Sequence, residues 1–224
     1  MSAAPRADDL RALRERYLAA QLRGDRRAAC AVVFDEALAG GASVNDVYEK
    51  IVQEAQREIG RLWQENVVTV AQEHMATAIS NLVLTQLFEK APHLPRNGKR
   101  ILLACVEGEQ HELPARLVCD TLALAGFDVR YLGANVPADA LVQMIERHTP
   151  DLVALSITMS FHAGALRTAV MRIRERFGNG LPIAAGGHAL DWGGGLATDL
   201  GIDITAKSAS ELVLAVKQRL GVQA

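Results

Sequence analysis

The sequence predicts an α/β protein in two parts. An N-terminal all-α domain, residues 8–92, reads as a four-helix bundle; residues 99–222 read as a flavodoxin-like, Rossmann-like domain with a five-stranded parallel sheet. Three observations predict this. Up to residue 92 the apolar residues recur at helical spacing only. The segment Ala91-Pro-His-Leu-Pro-Arg-Asn-Gly98 then interrupts the pattern with two prolines and a glycine, as a linker does. From Lys99 onward short apolar runs alternate with helical stretches, and a crossover helix between strands makes the sheet parallel.

The first predicted helix, Asp9 to Arg23, lines up Leu10, Leu13, Tyr17, Leu18 and Leu22. Asp25 suits the cap of the second, which carries Ala29, Val32, Val33 and Leu38 and stops at Gly40-Gly41. Ser43 caps a third helix from Val44 to about Trp63, with Val47, Ile51, Ala55, Ile59 and Leu62 turned inward. After a break at 64–68, Thr69 and Gln72 form a capping box for a fourth helix, Val70 to Glu89. Short links make the four an antiparallel bundle.

Strands are predicted at Ile101–Cys105, Asp128–Leu132, Leu152–Ser156, Ile183–Ala185 and Asp203–Thr205. The helices between and after them are Glu112–Ala125, Ala138–Arg147, Ala163–Phe177, a short one near Leu196–Leu200, and Ala209–Leu220. Pro137 suits a first helical turn, and Ser208 with Glu211 suits a capping box.

Composition excludes several classes. A net charge of −2 over 224 residues, with no basic run, argues against direct nucleic-acid binding. No run reaches the ~18 apolar residues of a membrane helix, and the N-terminus has no apolar signal core, so a cytoplasmic protein is expected. Cys30, Cys105 and Cys119 form no C-x-x-C and are expected to be reduced.

The loop after the first strand, Glu107-Gly-Glu-Gln-His-Glu112, concentrates the chemistry. Ligands of open α/β sheets bind at that carboxyl edge. His111, with Glu109 two residues before it, has the make-up of a metal ligand oriented by a carboxylate. The loop lacks the G-x-G-x-x-G of a dinucleotide site, and there is no P-loop. A phosphoacceptor receiver would need an Asp after the third strand, where this chain has Ser156-Ile-Thr-Met-Ser160. Small and hydroxylic residues instead gather at successive strand ends: Ser156, Thr158, Ser160, Gly186-Gly187 and Gly193-Gly194-Gly195. They leave room for a long ligand to lie along the edge.

Glu109-x-His111-x-x-Pro114, Ser156-x-Thr158 and Gly186-Gly187 resemble the D-x-H-x-x-G, S-x-L/T and G-G motifs of cobalamin-binding domains. The resemblance runs from about residue 8 to the end of the chain. It implies that His111 replaces the cofactor's dimethylbenzimidazole as lower cobalt ligand, within a binding loop of Glu109, Gln110, His111 and Glu112. It also implies that the displaced nucleotide tail runs past Ser156, Thr158, Gly186 and Gly187. Two positions depart from the pattern: Glu109 stands where Asp is usual and Pro114 where Gly is usual.

In the bundle, Trp63, nine further residues and then Glu73-His74 resemble the light-sensing cobalamin domains of the CarH type. That likeness implies adenosylcobalamin as cofactor, with Trp63, Val70, Glu73 and His74 holding the 5′-deoxyadenosyl group over the upper cobalt face. It implies a switch rather than an enzyme: light breaks the Co–C bond, the adenosyl group leaves and the domains rearrange. Some relatives place a His directly after the Trp, where this chain has Gln64. The chain begins at the bundle, so the resemblance is to stand-alone antirepressors of the AerR type, implying transcription regulation through a protein partner and self-assembly as a homo-oligomer. Photocobilins add a bilin, for which no site is identifiable, although His162 and His188 sit near the loop edge. The competing reading is a corrinoid carrier of a methyltransferase system, which shares the plan and the lower His.

Overall fold

The computed structural model describes residues 6–192 and 195–223. Gly193 and Gly194 of the glycine run lie outside the described residues. The chain divides into two compact units, one ending at Ala91 and the other starting at Pro92.

The first unit is helical. Helix α1 is Ala7–Leu22. Helix α2 starts as Arg26–Ala31 and continues as a π-helical stretch, Val32–Leu38. Helix α3 comprises Val44–Asp46, a second π-helical stretch Val47–Gln53, and Glu54–Gln64. Helix α4 is Val70–Lys90. The caps follow local chemistry. The Asp25 carboxylate accepts from Ala28 N at 3.0 Å, and Ser43 and Thr69 each close a reciprocal box with Asp46 and Gln72. Tyr17, Val33, Tyr48, Ile51, Ala55, Val83, Leu84 and Leu87 are fully buried. The π-helical stretch of α2 changes which residue faces inward: Ala37, five positions after Val32, is buried in place of the expected Leu38.

The second unit is a sheet wrapped by helices. Its strands are β1 Arg100–Cys105, β2 Asp128–Tyr131, β3 Leu152–Ser156, β4 Ile183–Gly186 and β5 Ile204–Thr205. They are all parallel, in the order β2-β1-β3-β4-β5. Helices α5 Glu112–Leu124, α6 Ala138–His148, α7 Ala163–Phe177 and α10 Ala209–Leu220 cover the faces, with the short α8 His188–Trp192 and α9 Leu196–Asp199 between β4 and β5. Alternate residues of each strand point to opposite faces. Leu102, Ala104, Val153, Leu155, Ile183 and Ala185 pack under α6 and α7. Ile101, Leu103, Cys105, Leu152, Ala154 and Ala184 pack under α5 and α10. The interior strands β1, β3 and β4 are buried on both faces, which is why they read as unbroken apolar runs.

Two local expectations are corrected. Pro137 is the N-cap of α6 rather than its first residue, because its extended ψ of 142° lies outside the helix. Ser208 caps α10 by accepting from Glu211 N, but the Glu211 carboxylate turns to Lys207 N, so only half a capping box forms. The three cysteines are free, and no helix among the described residues is long and apolar enough to cross a membrane.

One carboxylate is held at a cost. Asp120 on α5 is 8% exposed, its Oδ2 lacks a hydrogen-bond partner, and Arg116 Nε stands 3.9 Å away. Burial outweighs the Arg116 charge and pushes the carboxyl up to about 6. A pKa raised on folding adds stability below the unfolded value and loses it as pH rises through the folded one. Wild type should therefore lose stability, on the order of 2 kcal/mol, between about pH 4 and pH 6 relative to Asp120→Asn. Urea unfolding of both proteins across that range checks this, and parallel pH profiles would refute it.

Candidate functional site

The strand order reverses direction between β1 and β3, the two central neighbours. At that point successive loops diverge and leave a crevice at the carboxyl edge. Cys105, Ser156 and Gly186 end β1, β3 and β4 in one register row across the sheet.

Glu109 organises the crevice, with a side chain that is 0% exposed. Its Oε1 accepts from His111 N at 2.9 Å and meets His111 Nδ1 at 2.5 Å. Its Oε2 accepts from Thr158 N at 2.7 Å and Met159 N at 3.0 Å. Its carbonyl accepts from Asn135 N at 2.9 Å, while Asn135 Oδ1 accepts from Gly108 N at 2.7 Å. The loops after β1, β2 and β3 thus meet at one residue. Burial alone would raise the Glu109 pKa, but the hydrogen bonds from His111, Met159 and Thr158 prevail and hold it at about 2. Glu109 is therefore a carboxylate at any working pH.

His111 is the N-cap residue of α5, and its side chain is 45% exposed. The carboxylate fixes Nδ1 and so the ring orientation, and a metal would be taken by Nε2. Pro114 lies in the first turn of α5, where a missing N–H costs little. Gln110 and Glu112 flank His111 and are exposed. Among the described residues, no group of three or more His, Cys, Asp or Glu side chains could hold a bare metal ion. One imidazole suffices for a metal whose equatorial positions a macrocycle already fills.

The remaining predicted residues of this unit border the same edge. Ser156 is 8% exposed, and Thr158 Oγ1 is buried without a hydrogen-bond partner. A Cβ on Gly187, whose φ is +117°, would lie 2.1 Å from the Ile157 carbonyl oxygen. A Cβ on Gly186 would meet nothing within 4 Å. Gly187 therefore serves the close approach of two backbones, whereas Gly186 borders open space. An orphaned hydroxyl, an open strand end and a single oriented imidazole fit a macrocyclic cofactor with a long polar tail. His162 packs on this site from the side: a Cβ on Gly108 would lie 2.8 Å from its Cε1, and its ring meets Phe161 edge-on.

In the helical unit, Trp63 lies near the end of α3 and Val70 starts α4. Asn66, with φ of +58°, turns the chain between them, and both residues are exposed, at 38% and 53%. Glu73 Oε2 meets His74 Nδ1 at 2.6 Å, and Glu73 Oε1 accepts from Thr77 Oγ1 at 2.8 Å. Sequence reasoning paired Glu73 with His74 but missed Thr77. In the sheet unit it missed Asn135 and the Thr158 and Met159 N–H groups. Asn135 left one signal, in the sequence Gly133-Ala-Asn-Val-Pro137, since Asn tolerates the left-handed φ of +53° that it adopts.

The two glycines should respond differently to alanine. Gly187→Ala should cost about 2–4 kcal/mol through the clash with Ile157 and the positive φ. Gly186→Ala should stay within about 0.5 kcal/mol in the cofactor-free protein. Urea midpoints of the two variants test this, and equal midpoints would refute it.

Comparison with known proteins accords with this geometry. A family described as B12 binding domain matches residues 99–215, and a second of the same description matches residues 13–87. The HTH-type transcriptional repressor CarH of Myxococcus xanthus is 31% identical over 157 residues, covering 70% of this chain. The chain spans about half, 52%, of that repressor's length. Trimethylamine corrinoid protein 2 of Methanosarcina mazei is 28% identical over 206 residues, covering 86% of this chain and 89% of that protein. The monomethylamine corrinoid protein of Methanosarcina barkeri has the same fold, with a TM-score of 0.76 at 23% identity over 96% of this chain and 99% of its own. The chain belongs to the B12-binding domain family, and the cofactor that family membership indicates is a cobalamin or related corrinoid.

Proposed function

We propose that this chain binds adenosylcobalamin, with His111 as the lower cobalt ligand, and acts as a light-operated switch rather than an enzyme. The observation that carries the reading is the Glu73–His74 pair, 2.6 Å apart, in the opening turns of α4 that Val70 begins, with the exposed Trp63 near the end of the preceding helix. These groups suit an adenosyl ligand: an indole offers a stacking face, a carboxylate accepts from ribose hydroxyls or an adenine amine, and Val70 adds apolar contact. The likeness to the Myxococcus xanthus repressor over 70% of this chain supports a regulatory role.

When bound, the cofactor supplies a weak Co–C bond that light can break. The chain's own residues do the rest. Glu109 holds the His111 ring for ligation. Ser156, Thr158, Gly186 and Gly187 accommodate the tail, with Gln110 and Glu112 beside the ligating imidazole. Trp63, Val70, Glu73 and His74 would hold the upper group, and a helical unit without that group to hold would favour another state. The output is a changed surface for self-association as a homo-oligomer or for a transcription-factor partner, in a cytoplasmic setting without direct DNA contact.

The second reading, a corrinoid carrier, has its own support: the trimethylamine corrinoid protein aligns over nearly its whole length. A carrier must release its upper face to partner enzymes and has no need of an adenosyl clamp.

One experiment separates them. Absorption spectra are recorded with adenosylcobalamin in the dark and after green light, with sedimentation before and after, for wild type and His111→Ala. The switch predicts a retained red cofactor, conversion on illumination, a change in assembly, and at least about tenfold weaker binding in His111→Ala. Binding without light-dependent change in assembly, together with acceptance of a methyl group from a methyltransferase, would favour the carrier. Absence of retained colour would overturn both.

A further inference from the structure

A line of polar side chains runs from Glu73 into the core of the helical bundle. Thr77 Oγ1 donates to Glu73 Oε1 at 2.8 Å and accepts from Gln56 Nε2 at 2.8 Å. Gln56 Oε1 accepts from Gln21 Nε2 at 3.3 Å. Gln21 Nε2 also reaches Ser80 Oγ at 2.8 Å and the Ala76 carbonyl at 3.0 Å, and Ser80 Oγ lies 3.0 Å from the Tyr17 hydroxyl. Tyr17, Gln21 and Ser80 are all 0% exposed.

The line has a direction. An amide nitrogen only donates, so Gln56 uses an acceptor position of Thr77 and commits its single proton to Glu73. Each bond polarises the next toward the carboxylate. The line also joins three helices, because Gln21 belongs to α1, Gln56 to α3, and Glu73, Thr77 and Ser80 to α4. It is held at a cost. Gln21 Oε1 is buried without a hydrogen-bond partner in the bundle core. Packing alone would favour a hydrocarbon there, so the polar line calls for a reason beyond stability.

We infer that Gln56 and Thr77 are positioning residues for Glu73: they aim its carboxylate at the cofactor's upper ligand and carry a change at Glu73 into the packing of α1 against α3 and α4. The inference rests on the proposed role of Glu73 and deepens it. When the upper ligand leaves, Glu73 changes its grip on Thr77, the Gln56 amide loses its fixed acceptor, and Gln21 is released from one partner in the core.

The test uses the full chain as wild type, Thr77→Val, Thr77→Ser and Glu73→Leu. Dissociation constants are measured for adenosylcobalamin and hydroxocobalamin, and amide hydrogen exchange is followed at residues 17–22 of the cofactor-free protein. Thr77→Val keeps the shape and removes the hydroxyl. It should weaken adenosylcobalamin about tenfold while changing hydroxocobalamin less than about twofold, and Thr77→Ser should restore the ratio. Equal loss for both cofactors, or no loss, overturns the positioning role. If wild type takes up neither cobalamin, the proposed function has failed, and the cofactor-free arm still decides the coupling. There, Glu73→Leu and Thr77→Val should each speed exchange in α1 about fivefold, with Thr77→Ser near wild type. Unchanged exchange overturns the coupling.

Discussion

The sheet unit depends on one buried carboxylate. Glu109 is charged, wholly enclosed by protein and satisfied by four hydrogen bonds drawn from two loops. An ion without water needs that many partners. Its backbone carbonyl adds the third loop through Asn135. The crevice at the strand reversal is therefore a construction centred on a single negative charge, and the orientation of His111 follows from it. At this position, where the motif it resembles has Asp, the Glu109 carboxylate reaches both the His111 ring and the β3 loop.

The protein holds two carboxylate–imidazole pairs of the same chemistry in different solvent. In the inner pair the Glu109 side chain is 0% exposed and its oxygens have four donors. In the outer pair the Glu73 side chain is 24% exposed, that of His74 is 73% exposed, and Thr77 and His74 are the donors. The inner pair suits a ligand that stays. The outer pair, more weakly fixed and open to water, suits one that must let go. On the proposed reading, the contrast fits a cofactor held through the inner pair and released at the outer one.

Much of this was legible in the sequence because it is local. Caps at Asp25, Ser43 and Thr69 involve residues three apart, and the Glu109–His111 pair involves residues two apart. Parallel strands buried on both faces announce themselves as apolar runs. What was not legible depends on chain return. The Glu109 bonds to Thr158 and Met159 span 49 and 50 residues and use backbone N–H groups, which carry no side-chain signature. Gln21 and Gln56 are 35 residues apart and each alone reads as an exposed polar position. The π-helical stretch in α2 shifts the facing residue by one, from Leu38 to Ala37, which a regular period does not anticipate.

The tight approach of Gly187 to Ile157 bears on how the cofactor gets in and out. With β3 and β4 locked backbone to backbone, and the neighbouring loops satisfied by Glu109, the edge would have little ordering left to undergo on loading. Such a prebuilt slot charges a newcomer chiefly for shedding its own hydration and straightening its tail. Uptake should then scale with the conformational freedom of the corrinoid's side arm. On the proposed reading, a cofactor lacking that arm would be kept by its bond to the imidazole and by the residues that hold its upper group.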